Sequence, residues 1–206
     1  MFDQQKVDAT VCLGDLVGYF HQSLEVIDLM MRSGIPTIMG NHEAYLLGQL
    51  PCTAEKWAFI SMDYVRKRIT DAQRSWIERL PLSRDEMIDG RRIGFFHGSP
   101  WNPLEEYVYP DHAQFERFAD SGYDFVFLGH THYPLLKKAG RCTVVNPGSC
   151  GEPRQGDHRA CAAIFDTVRA HVEFLNIEYD VKAFLSEART FGIPEKVIHV
   201  LERSVG

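Results

Sequence analysis

Apolar residues in this chain gather in short runs that stop abruptly at glycine or histidine, and polar residues follow each stop. Ala9-Thr10-Val11-Cys12-Leu13 reads as a strand ending at Gly14-Asp15. Leu24, Ile27 and Met31 share one helical face; Ser23 is the predicted cap, the helix runs to about Arg32, and Gly34 stops it. Ile35 to Met39 predicts a second strand, ending at Gly40-Asn41-His42-Glu43. Strand, helix, strand implies a parallel pair with a right-handed crossover.

From Glu43 to Leu80 the pattern is helical, broken near Pro51 and Asp71, with Thr53 and Asp71 as expected caps. Trp57, Ile60, Tyr64 and Val65 form an apolar stripe there, which reads as core. A hairpin turning at Asp89-Gly90 follows, and its second arm, Arg92 to Phe96, runs into His97-Gly98. A helix is expected from Asp111 to Ala119, then a buried strand, Tyr123 to Leu128, that delivers Gly129-His130-Thr131-His132. The last third predicts strands at 135–136, 142–145, 160–165 and 171–177, then helices opened by Asp180 and Pro194. Crossovers early and hairpins late give a mixed α/β class with two facing sheets and helices outside.

Composition narrows the function classes. A net charge of −6 argues against a nucleic-acid polymer or an acidic membrane as partner. No apolar stretch has the length of a membrane span. The five cysteines are odd in number and contain no CxxC, so reduced thiols of a cytoplasmic protein are expected rather than a disulfide framework. No cysteine stands among the Asp15, Asn41, His97 and His130 motif residues, which argues against a structural zinc site.

The candidate chemistry lies at the strand ends. Asp15, Asn41, His97, His130 and His132 combine one carboxylate, one amide and three imidazoles. In parallel α/β sheets such loops converge outside the carboxyl ends of the strands. The donor mix suits Mn²⁺, Fe²⁺, Zn²⁺ or Ni²⁺ better than Mg²⁺ or Ca²⁺. Tyr19, Trp101 and Tyr107 lie near these loops and could wall a substrate or simply pack.

In order, Gly14-Asp15-x-x-Gly18, Gly40-Asn41-His42-Glu43, His97-Gly98 and Gly129-His130-x-His132 resemble the calcineurin-like metallophosphoesterase superfamily. Asn146-Pro147-Gly148-Ser149 with Gly151-x-Pro153-Arg154 is similar to its small prokaryotic-type branch. The resemblance spans residues 8–178 of a single 206-residue domain, with a helical tail over 180–206. It implies a four-layer α/β/β/α sandwich of two mixed sheets, a two-metal cleft and hydrolysis of phosphoesters, nucleotides among them. It also implies that Asp15 bridges two divalent ions, that Asn41, His97 and His130 complete one site, and that His132 belongs to the other. His42 resembles the family's histidine that contacts the phosphoryl group and protonates the leaving alkoxide. Arg154 could pair with phosphate or form a structural salt bridge.

The family pattern opens with a strand ending in Asp-x-His, which this sequence lacks before Gly14; Met1 to Lys6 resembles the end of the helix that follows that strand. The missing unit would take roughly 25 residues. Two accounts stand: a shortened version of a longer chain, which the cost of losing a central strand favours, or a variant with one complete site. If the chain starts at Met1, the His132 site is expected to be weak or empty, and two fully occupied ions would overturn that. The second functional class is a noncatalytic interaction scaffold of the same fold; His42, which a scaffold has no reason to keep, discriminates the two.

Overall fold

A computed structural model describes residues 7–156 and 158–202; the helix end expected over 1–6 lies outside the described residues. Five strands form a mixed sheet in the order β1-β2-β3-β5-β4: β1 (Ser83–Ile88), β2 (Arg91–Phe96), β3 (Phe125–Leu128), β4 (Pro134–Ala139) and β5 (Cys142–Pro147). β2, β3 and β5 run parallel, and β1 and β4 flank them antiparallel. The β1–β2 hairpin turns where the sequence placed it: Ile88 pairs with Arg91, and Asp89 and Gly90 take φ of 49° and 74°. β6 (Ala160–Asp166) and β7 (His171–Ile177) form a separate antiparallel pair. Ile93, Phe125, Phe127 and Val145 from the large sheet meet Val172, with Phe165 and Phe174 beside them, so the two sheets pack face to face. On the other face Val126, Leu128 and Val144 pack on Phe115 and Phe118, and each such buried side chain stabilises by about 1.5–3 kcal/mol.

The second mixed sheet is only partly realised among the described residues. Segments 9–13 and 35–39 do run parallel, but they pair through one bridge, Cys12 to Thr37. Their backbone groups are drawn elsewhere: the Leu13 carbonyl accepts from His97 Nδ1, and Met39 N donates to the Pro81 carbonyl. The helix expected at 111–119 is a 3₁₀ turn over Phe115–Asp120. Phe115 and Phe118 are both buried, and three residues per turn puts them on one side.

The helices are α1 (Ser23–Ser33), α2 (Asn41–Leu46), α3 (Ala54–Phe59), α4 (Met62–Arg66), α5 (Asp71–Glu78), α6 (Val181–Thr190) and α7 (Glu195–Glu202). Gly34 ends α1 at φ 64°, Thr53 caps α3, and Asp180 caps α6. Two caps sit one residue before the expected one. Gln22 precedes α1, with Ser23 as its first residue, and Thr70 caps α5 through a reciprocal pair of hydrogen bonds with Gln73. Ile60 and Val65 are buried in the α1–α5 cluster, and Trp57 and Tyr64 pack against it, as the stripe implied. α6 and α7 pack over Phe20, which extends from the Asp15 loop.

Candidate metal centre

β2 and β3 end side by side, with Phe96 paired to Leu128, so His97 and the Gly129–His132 loop emerge together. The Asp15 and Asn41 loops reach them from the Cys12–Thr37 bridge. Backbone contact between those two loops depends on glycine: a Cβ on Gly14 would lie 2.5 Å from Gly40 N, and one on Gly40 would lie 2.2 Å from Asp15 Oδ1. Four residues of the site that are not glycine hold left-handed backbone, namely Asp15 (φ 56°), Tyr19 (59°), His130 (64°) and His132 (62°). Such conformations cluster where the surrounding fold over-determines them.

Asp15, His97 and His130 place donor atoms within 4.8 Å of one another, a spacing that one cation can span. His97 Nδ1 donates to the Leu13 carbonyl at 2.7 Å, which leaves a lone pair on Nε2 of the neutral ring. That Nε2 faces Asn41 Oδ1 at 2.9 Å and Asp15 Oδ2 at 3.2 Å. His130 Nε2 is buried with no hydrogen-bond partner among the described residues. Four electron-rich groups therefore converge on one point, and only a proton or a cation between them removes the repulsion. The residues fit a divalent ion on that ground.

Electrostatics point the same way. Burial opposes ionisation of Asp15, yet the facing rings of His42 and His97 hold its carboxyl well below the usual range. Burial disfavours a charged His97, but Asp15 outweighs it and the pKa rises. His130 is pushed down to about 3 from 6.5, chiefly by burial and then by His97. An imidazole kept neutral is ready to ligate. For the metal-free protein the unfolded chain binds a proton at His130 that the folded one refuses between pH 6.5 and about 3. The His130 contribution is thus complete above pH 6.5 and is lost as pH falls through that window. The urea midpoint of metal-free protein should fall from pH 6.5 to 4.5, and less steeply in His130→Gln; equal slopes would contradict this.

His42 is buried beside the cluster. Its Nδ1 donates to the Val17 carbonyl at 2.8 Å, so Nε2 faces the centre, 3.8 Å from Asp15 Oδ2. Burial lowers its pKa more than Asp15 raises it. Gly18 makes room for this ring, since a Cβ there would lie 2.6 Å from His42 Nδ1. His132 stands apart from the three clustered donors. Its Nδ1 donates to Glu152 Oε2 at 2.6 Å and approaches the Glu152 carbonyl at 2.8 Å. Arg154 donates from Nε to Glu152 at 3.0 Å and from Nη2 to Tyr19 Oη at 3.0 Å, and so forms a salt bridge with Glu152. Tyr107 lies over His130 with ring centroids 3.8 Å apart, and Tyr19 meets His132 at 5.8 Å. Trp101 instead packs edge-on against Phe118 under the Arg117 guanidinium.

Three supporting residues escaped the sequence reading. Glu43 is fully buried and accepts the backbone N–H groups of Asp15, Leu16, Val17 and Gly40 at 2.8–3.2 Å. Glu152 orients His132. Asn146 donates from Nδ2 to the Gly129 carbonyl and to Thr131 Oγ1, which pins the histidine loop. The signal for Glu43 was the capping spacing after Gly40; Glu152 and Asn146 carried none beyond lying in the fifth motif.

Comparison with known proteins agrees with the fold. A metallophosphoesterase from Sphaerobacter thermophilus superposes with a TM-score of 0.79 at 27% identity, covering 98% of this chain and 91% of that one. A hypothetical protein from Pyrococcus horikoshii OT3 gives 0.82 at 23% identity, over 97% and 87%. An uncharacterized protein of Methanocaldococcus jannaschii is 30% identical, over 89% of this chain and 82% of its own. Residues 1–170 match the calcineurin-like phosphoesterase superfamily domain, and the chain belongs to that family of hydrolases acting on phosphoric esters.

Proposed function

We propose that the chain is a metal-dependent phosphoester hydrolase whose centre is built on Asp15, with His42 as the proton donor to the leaving group. The observation that carries this reading is the buried His130 Nε2, without a hydrogen-bond partner among the described residues, beside the facing lone pairs of His97, Asn41 and Asp15. Asp15, Asn41, His97 and His130 would hold one ion, and Asp15 with His132 a second that has fewer ligands from the described residues. Mn²⁺, Fe²⁺, Zn²⁺ and Ni²⁺ all suit such donors. Divalent ions supply Lewis-acid charge that stabilises phosphorus under in-line attack and acidifies the attacking water.

The chain's own groups do the rest. The Val17 carbonyl fixes the His42 ring and aims Nε2 at the centre. A negatively charged phosphoryl group beside that nitrogen opposes the effect of burial and favours the protonated ring. Nε2 then releases its proton to the departing alkoxide. Tyr107 and Tyr19 supply aromatic surface against the histidines, where a nucleotide or another ring-bearing ester can rest. The free cysteines suit a reducing, cytoplasmic setting.

With Mn²⁺ added, the protein should hydrolyse bis(p-nitrophenyl) phosphate, and His42→Ala should lower kcat by about 10²-fold or more. No turnover with any of the four metals would overturn the reading, and an unchanged rate in His42→Ala would remove its role. Glu152→Gln removes the carboxylate charge that raises the basicity of the His132 ring and should lower metal affinity at the weaker site by about 10–100-fold. Competition with a metal-sensitive dye would measure it, and wild-type affinity would show that Glu152 serves only the fold.

A further inference from the structure

We propose a second anion site, at the opposite end of the large sheet, that binds a small phosphate-bearing molecule. β2, β3 and β5 begin where this cleft lies and end at the metal centre. At about 3.3 Å per residue along β3 the two are roughly 15 Å apart. The cleft has a volume of about 390 Å³ between the large sheet and the β6–β7 hairpin. Arg91, Lys138, Arg141 and His171 line it, against one carboxylate, Asp124.

Most of this charge is unneutralised. Among the described residues, Lys138, Arg141 and His171 have no salt bridge or side-chain hydrogen bond. Arg91 uses one nitrogen, Nη1, on the Thr167 and Asp89 carbonyls. Asp124 Oδ2 already accepts the Arg92 backbone N–H at 2.9 Å. Lys137 contributes only its stem, because its ammonium donates to the Pro110 carbonyl. Phe125, Leu136 and Val172 add an apolar wall, on which Leu136 is 51% exposed.

Three permanent cations around one cavity, in a chain of net charge −6, repel one another until an anion enters. The size of the cleft selects a small molecule. The acidic remainder of the surface disfavours a polymer.

Calorimetric titration of metal-free protein with inorganic pyrophosphate, at low ionic strength and pH 7, tests the site. The double variant Lys138→Glu/Arg141→Glu should bind at least about tenfold more weakly. Asp15→Asn, at the other end, should not remove the binding, and high salt should abolish it. Thermal melting without ligand checks that the variants fold, and Arg91→Gln gives a milder second variant that should also weaken binding. Three results would overturn the proposal: no binding, binding indifferent to the cleft substitutions, or cleft-dependent binding of an oligonucleotide but not of pyrophosphate.

Discussion

Asp15→Asn is expected to lower kcat/KM for a phosphodiester by about 10³-fold or more while the chain remains folded. The substitution keeps an oxygen able to accept the His42 backbone N–H, which Asp15 Oδ1 now accepts at 3.0 Å. It removes the negative charge and turns an amide NH₂ toward the point that His97 and His42 face, where a bound cation needs a lone pair and is repelled by a donor. A bound ion contributes several kcal/mol to the transition state, and about 4 kcal/mol corresponds to 10³ in rate. Metal content and turnover measured on one preparation decide the matter. A loss below about tenfold, with metal retained, would show that the centre does not depend on Asp15.

Glu43→Ala should produce the largest loss of stability of any single change near the site. One carboxylate satisfies four backbone donors from two loops that glycine brings into contact. Each buried donor left without an acceptor costs about 1–3 kcal/mol. Even at the lower figure the loss is about 4 kcal/mol, against roughly 5–15 kcal/mol for a whole domain. Burial and the neighbouring Asp15 carboxylate raise the pKa of Glu43, and its N–H donors resist that rise. Glu43→Gln keeps one accepting oxygen and should fall between the two. Urea unfolding of metal-free protein gives the difference, and a change below about 1 kcal/mol would mean that water replaces the carboxylate.

Legibility in the sequence followed the range of the interactions. Asp15, Asn41, His97 and His130 could be placed because each follows a local signal, an apolar run cut by glycine or histidine. The hairpin at Asp89-Gly90 and the stop at Gly34 were equally local. Glu152 and Asn146 act across separations of 15 to 20 residues, with no periodicity to announce them. The segment 9–13 looked like an ordinary strand because nothing in it shows that the Leu13 carbonyl is bound by a histidine 84 residues away. The segment expected as a helix over 111–119 is a 3₁₀ turn at Phe115–Asp120, and the three-residue spacing of Phe115 and Phe118 is compatible with either helical form.

The left-handed backbone at Asp15, Tyr19, His130 and His132 has a consequence for how such a chain could drift. Each position carries strain of order 1 kcal/mol that glycine would relieve. A lineage released from hydrolysis, and kept only as an interaction surface, would therefore find stabilising replacements at the residues that define the centre. The present sequence still carries a carboxylate, a phenol and two imidazoles there. On the proposed reading, a requirement for metal-binding side chains would be the force that opposes that downhill path.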